Sequence, residues 1–267
     1  MIKRLFKLII FALIIFAIYG FVSGKFNVFK KFMSKDFLYS ENKVIYDDIK
    51  QIDDIDINLS YSNLIIKKGD NFIIETNNKN IKLENENNEI EIKEEKISVS
   101  INVKDSNLII TIPDNQIFND FELTTGAGTI EIEKLSTKEL SLKQGAGKVE
   151  IEKVEVLDEA KIRGGAGTLI INNANFYNLD LTIGVGKCEI SSVFKGNNKI
   201  TAGVGDLTVN LFNSLDDYKI KIEKDLGNIT VNNEKISDDF EYGNGFVGLN
   251  IKGSVGNINL NSNENNE

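Results

Sequence analysis

The chain has 267 residues, with no His, no Trp, one Cys, one Pro and two Met, and 31 Lys+Arg against 40 Asp+Glu give it a net charge of −9. Without His, the usual general base near neutral pH and the usual imidazole metal ligand are missing. A lone Cys excludes an intrachain disulfide, a thiolate metal site and dithiol redox chemistry, and the acidic balance opposes nucleic acid as a partner.

Residues 1–24 read as a membrane anchor or signal segment. Lys3, Arg4 and Lys7 precede an uncharged run from Leu8 to Gly24, whose 17 residues lie at the short end of a bilayer-spanning helix. Basic residues ahead of the run favour a cytoplasmic N-terminus. The expectation is a single-pass protein of the cell membrane, with one N-terminal transmembrane helix and the rest of the chain extracytoplasmic. Val22-Ser23-Gly24 leaves a cleaved signal peptide as the alternative. Residues 25–45, with Lys25, Lys30, Lys31 and Lys35, read as a juxtamembrane stalk.

Residues 46–260 are expected to form one repeat domain, irregular over 46–120 and regular over 121–260. The regular part is organised by Gly126-Ala127-Gly128, Gly145-Ala146-Gly147, Gly165-Ala166-Gly167, Gly184-Val185-Gly186 and Gly203-Val204-Gly205. Asp225-Leu226-Gly227 and Ser254-Val255-Gly256 are looser copies. The steps between second glycines are 19, 20, 19, 19, 22 and 29 residues, and periods near 20 point to a solenoid.

Three columns around that glycine are apolar in all seven copies. Five residues before it stand Leu123, Leu142, Ile162, Leu181, Ile200, Ile222 and Ile251. Two after it stand Ile130, Val149, Leu169, Cys188, Leu207, Ile229 and Ile258, and four after it Ile132, Ile151, Ile171, Ile190, Val209, Val231 and Leu260. The residue between the last two columns is mostly polar, which is the alternation of a strand with one buried face. Each repeat thus reads as two short strands meeting at a glycine corner. Stacking them about 4.8 Å apart gives an all-β, parallel β-helix or β-solenoid.

The irregular part fits the same pattern where Ser62 and Ser106 replace the second glycine. Ile55, Ile57, Leu64 and Ile66 then form one turn, and Val99, Ile101, Leu108 and Ile110 the next. Lys79–Glu95 reads as an exposed charged hairpin, and residues 261–267 as a disordered polar tail.

The hydrophobic N-terminus, the strand Leu108-Ile109-Ile110-Thr111-Ile112-Pro113 and the serial Gly-Ala/Val-Gly repeats resemble a bacterial β-strand-repeat family of unknown function, whose members are commonly labelled adhesin candidates. The resemblance covers roughly residues 50–260. It implies a β-helical, surface-exposed domain and carries over no catalytic or binding residue.

Among the side chains themselves, Glu131, Glu133, Glu150 and Glu152 should gather on one outward face, Glu131 over Glu150 and Glu133 over Glu152. Four carboxylates suit Ca²⁺, paired ones suit a retaining glycosidase at about 5–5.5 Å, and a solvated acidic face with Lys134, Lys148 and Lys153 nearby is the plainer alternative. Asn172, Asn210, Asn232 and Asn261 form a column able to hydrogen-bond from turn to turn. Gly164-Gly165-Ala166-Gly167 lacks the Lys-Ser/Thr of a phosphate loop, and Leu169 stands where a calcium nonapeptide needs Asp. Cys188 lies in an aliphatic column and reads as inert core. Phe121, Phe176, Tyr177, Phe194 and Phe212 fall where turns meet and are expected to fill corners.

These observations favour a non-enzymatic, membrane-anchored binding scaffold or adhesin-like envelope protein, without cofactor or evident small-molecule substrate, whose partner lies in the envelope or outside the cell. A polysaccharide-active β-helix and an end-to-end polymerising solenoid are the alternatives.

Overall fold

Alternating apolar and polar residues on either side of each glycine pair place every repeat in a single long strand. The computed structural model describes residues 42–48, 51–95 and 106–263. Seven long strands carry the repeats: β8 (Phe118–Ile132), β9 (Leu135–Ile151), β10 (Val154–Tyr177), β11 (Leu179–Lys195), β12 (Asn197–Leu211), β13 (Tyr218–Val231) and β16 (Val247–Ser262). Before them come β1 (Lys43–Asp48), β2 (Asp54–Leu59), β3 (Asn63–Gly69), β4 (Phe72–Thr76), β5 (Ile81–Glu86), β6 (Glu89–Glu94) and β7 (Asn107–Pro113). Two short strands, β14 (Glu234–Ile236) and β15 (Phe240–Tyr242), separate β13 from β16. The protein is therefore all-β, with parallel, in-register rungs of a solenoid. The expected pair of short strands per repeat is one strand, because ladder pairing runs through the corner, as at Ala127↔Ala146 and Gly128↔Gly147.

The three apolar columns form the core, and none of their members is more than 7% exposed. The corner explains the glycines. Gly167 has φ +141°, and a Cβ there would lie 1.9 Å from the Gly147 carbonyl oxygen of the rung beneath. Gly186 repeats the geometry against Gly167, at φ +136° and 1.8 Å. A side chain at either position would force the rungs apart, so glycine is required by sterics as well as by φ.

Chain order and spatial order part company at both ends. The rungs run β8-β9-β10-β11-β12 in sequence, but β16 then enters between β12 and β13. Val255 accordingly pairs with Val204 on one side and with Leu226 on the other. At the opposite end β2 and β3 lie between β8 and the pair β6 and β7. Thus Ile55 and Ile57 stack on Phe121 and Leu123, as Leu64 and Ile66 do on Ile130 and Ile132. Strict sequential stacking, the expectation from period alone, does not hold for the two terminal turns at either end. The long link between β12 and β13, residues 212–217 with a 3-10 turn at Leu215–Asp217, permits the skip. Single residues, Asn178 and Gly196, join the rungs β10, β11 and β12.

The inversion has a physical reason. An outermost rung exposes a row of unpaired backbone groups. With β16 inside, the segment joining β13 to β16 is free to cover the end: β14 pairs with Ile229–Val231, and β15 with Ile220–Ile222. At the other end β4 covers β7, β5 covers β6, and β1 covers β4, all antiparallel. The hairpin of β5 and β6, turned at Asn87 and Asn88 with positive φ, is therefore not exposed throughout. Ile90 and Ile92 are fully buried and stack on Ile55 and Ile57. They take the place expected of Val99 and Ile101, which lie outside the described residues.

Among the described residues no further corner stacks on the terminal corner Ser60-Tyr61-Ser62, and the Glu94 carboxylate takes up its N–H groups. Its Oε2 accepts the backbone N–H groups of Ser60, Tyr61 and Ser62 at 2.7, 2.9 and 3.2 Å. Its Oε1 accepts the Ser62 hydroxyl at 2.5 Å and Asn78 Nδ2 at 2.6 Å. At the far end Asp239 Oδ1 accepts the Lys224 N–H at 3.1 Å. The predicted anchor over 1–24 and most of the stalk over 25–45 lie outside the described residues. Strand β1 already begins at Lys43, and β16 continues through Asn261 and Ser262 into the predicted tail. Among the described residues no helix is long and apolar enough to cross a membrane.

Candidate functional site

Strand alternation gathers acidic side chains on one outward face. In Asp54-Ile55-Asp56-Ile57, Glu89-Ile90-Glu91-Ile92 and Asp120-Phe121-Glu122-Leu123 the apolar residues turn inward, so the acids must turn outward. Rung pairing then stacks them. One file runs Glu86, Glu89, Asp54, Asp120, Glu139, Glu159, and a second runs Glu84, Glu91, Asp56, Glu122. Neighbours in each file are about 4.8 Å apart along the ladder.

This crowding shows in the protonation equilibria. The Asp56 carboxyl is raised above its ordinary value first by burial, then by the charges of Glu122 and Glu91. Asp120 is raised by burial and by Glu122, Glu139 and Asp54. Relief is partial: Lys93 pairs with Glu91, Lys161 lies 2.9 Å from Glu159, and Asn58 Nδ2 donates to Asp56 Oδ1 at 2.9 Å. Among the described residues no three carboxylates converge as metal ligands.

The four glutamates singled out by sequence stand among polar and cationic neighbours. Glu131 does stack on Glu150. However, Lys148 pairs with Glu150, Lys68 Nζ lies 3.1 Å from Glu133, and Asn172 Nδ2 donates to Glu152 at 2.7 Å. The Lys68 N–H and ammonium hold the Glu133 carboxyl below its ordinary value. A glycosidase acid needs the opposite shift.

The asparagine column is realised in part: Asn261 Nδ2 donates to Asn210 Oδ1 at 2.8 Å, and Asn210 Nδ2 to Ser191 Oγ at 3.1 Å. Asn172 turns to Glu152, and Asn232 to Ser262. Gly164–Gly167 forms the corner within β10, which continues as strand to Tyr177. Cys188 is buried, and burial pushes its thiol up to about 12. Phe121, Phe176 and Phe194 are buried, the last two stacked at 6.4 Å, whereas Tyr177 and Phe212 are exposed rather than filling corners.

A profile of the Toastrack DUF4097 family matches residues 49–245. The chain belongs to the Toastrack DUF4097 family. No curated protein matches it. Solved structures similar to this Toastrack chain include a candidate cell adhesion protein from Clostridium sporogenes ATCC 15579, at 18% identity and TM-score 0.35, covering 83% of this chain and 98% of that one. A candidate adhesin from Bacteroides fragilis NCTC 9343 is 16% identical with TM-score 0.43, covering 84% and 100%. A candidate lipid binding protein from Parabacteroides distasonis ATCC 8503 is 14% identical with TM-score 0.35, covering 82% and 96%.

Two features of this Toastrack domain escape a reading by period. The acidic files join residues far apart in the chain, such as Glu89, Asp54 and Asp120, and only the inverted end order makes them neighbours. The signal was present as three acid-x-acid pairs, each preceding an inward apolar residue. The Glu94 clamp had no sequence signal, since one acid at a strand end is indistinguishable from its solvated neighbours.

Proposed function

We propose that the chain is a non-enzymatic binding scaffold of adhesin-like type, tethered to the membrane through residues 1–24 and carrying its Toastrack domain outside the cytoplasm. The observation that carries this reading is the outward ladder: rigid, in-register rungs between two covered ends, displaying fixed files of side chains. The basic residues ahead of the uncharged run Leu8–Gly24 support the tether. The acidic files make a cationic segment of an envelope or extracellular partner the best electrostatic match, because it would relieve the crowding at Asp56 and Asp120.

Protease treatment of intact cells tests the topology: release of the β domain is expected, and protection until lysis would overturn it. Cross-linking in native envelopes, compared between the natural chain and the charge-reversed Asp56→Lys/Glu122→Lys, tests the surface. A neighbour captured equally by both chains would place the binding face elsewhere. The polysaccharide-active alternative loses support from the ion-paired state of Glu133 and Glu150, and the polymerising alternative from the antiparallel strands over both terminal rungs.

A further inference from the structure

The middle residue of every Gly-x-Gly corner points away from the core. In spatial order these are Ala127, Ala146, Ala166, Val185, Val204, Val255 and Leu226, each paired with the next across the ladder. The three alanines are exposed, and Val204, Val255 and Leu226 are 45%, 43% and 66% exposed. They make one unbroken apolar ridge of six steps, about 29 Å at about 4.8 Å per step. Glycine flanks the first five of these residues on both sides, whereas Val255 and Leu226 have glycine on one side and Ser254 and Asp225 on the other, and the ridge steps up from alanine at one end to leucine at the other.

We propose that this ridge is a self-association surface, on which two copies of the chain pack antiparallel about a two-fold axis at Val185. Two properties select a second copy as the occupant. The first is period: the ridge repeats every rung over seven rungs, and a like solenoid presents the same spacing, as identical ladders do in dry strand interfaces. The second is size. In the antiparallel arrangement Ala127 faces Leu226, Ala146 faces Val255, Ala166 faces Val204, and Val185 faces itself. Small meets large at six of the seven rungs and valine meets valine at the axis, so the ridge is complementary to itself in this register. A parallel arrangement would set alanine on alanine and leucine on leucine, leaving a gap at one end and a clash at the other. The equivalent position at the terminal corner, Tyr61, is half-buried and stays out of the series.

Area sets the strength. A strip about 29 Å by about 10 Å covers on the order of 300 Å² per copy, below the roughly 800 Å² per partner of standard stable interfaces. The pair is therefore weak and concentration-dependent, and holding copies on one surface would favour it.

Disulfide trapping tests the register directly, and buried Cys188 supplies no background thiol. Single variants Val185→Cys, Ala127→Cys and Leu226→Cys of the full chain are oxidised mildly over a concentration series. Val185→Cys alone is expected to give a covalent dimer about tenfold faster than either other variant alone, and a mixture of Ala127→Cys with Leu226→Cys to give the mixed dimer. Equal trapping of all three with themselves would indicate parallel ridges and overturn the antiparallel register. Trapping of Val185→Cys no faster than Leu157→Cys, an exposed position away from the ridge, would overturn the surface itself. Neither outcome depends on the membrane tether, so this test and the protease test fail separately.

Discussion

Replacing Glu94 should open one end of the solenoid without touching the rest. Its carboxylate accepts five hydrogen bonds, three of them from consecutive backbone N–H groups of the terminal corner. In Glu94→Gln the amide oxygen can keep the corner N–H groups, which turns the new NH₂ toward Asn78 Nδ2. Asn78 cannot answer by flipping, because its Oδ1 already accepts from Asn80 N and Asn80 Nδ2 at 2.9 and 3.0 Å. The Ser62 hydroxyl can turn to Ser106 Oγ, 2.6 Å away. The net loss is one charge-assisted bond and one donor facing a donor, about 2 kcal/mol. Glu94→Ala leaves all five donors without their acceptor and should cost about 3–5 kcal/mol after partial rescue by water. Because repeat proteins open locally, the assay is amide hydrogen exchange at Ser60–Ser62. Exchange about 30-fold faster is expected for Glu94→Gln, with protection at the mid-stack rungs β10 and β11 unchanged. Exchange within about threefold of the natural chain in both variants would refute the clamp.

Three further outcomes follow from the same geometry. Gly167→Ala places a Cβ 1.9 Å from the Gly147 carbonyl at φ +141°; it should lower stability by more than about 3 kcal/mol in urea unfolding, while Ala166→Ser leaves the midpoint in place. Asp56 has a folded pKa above its unfolded one, so its ionisation opposes folding. That cost is absent below the unfolded value near pH 4 and is fully present once pH exceeds the raised folded value. Asp56→Asn should therefore raise the urea midpoint at pH 7 and leave it unchanged below about pH 4, and equal midpoints at pH 7 would contradict the crowding. Cys188, with its thiol near 12 and its side chain buried, should resist a soluble thiol reagent at pH 8 until denaturant is added; labelling of the folded chain would place it outside the core.

The columns and corners were legible because a rung needs the same residue type at the same place in each turn. Leu123 through Ile251, and Gly128 through Gly256, align from the sequence alone. The acidic files were legible only as fragments. Asp54 and Glu89 belong to one file because β2 pairs with β6, a contact between strands separated by the β3, β4 and β5 segments.

What the sequence determined by itself is the unit: a strand with one buried face, a glycine corner where a Cβ has no room, and an all-β stack built from about seven such units. Periodicity encodes which face is buried, and burial of aliphatic columns is enough to drive stacking. What only the tertiary structure decided is the order of rungs at the two ends. Every rung offers nearly the same apolar columns, so core packing does not distinguish β12 on β13 from β12 on β16. The choice falls to the backbone edges. The end turns invert because the segments joining β3 to β6 and β13 to β16 can then fold back and pair the outermost strands, and the carboxylate files, the Glu94 clamp and the graded corner ridge all follow from that choice.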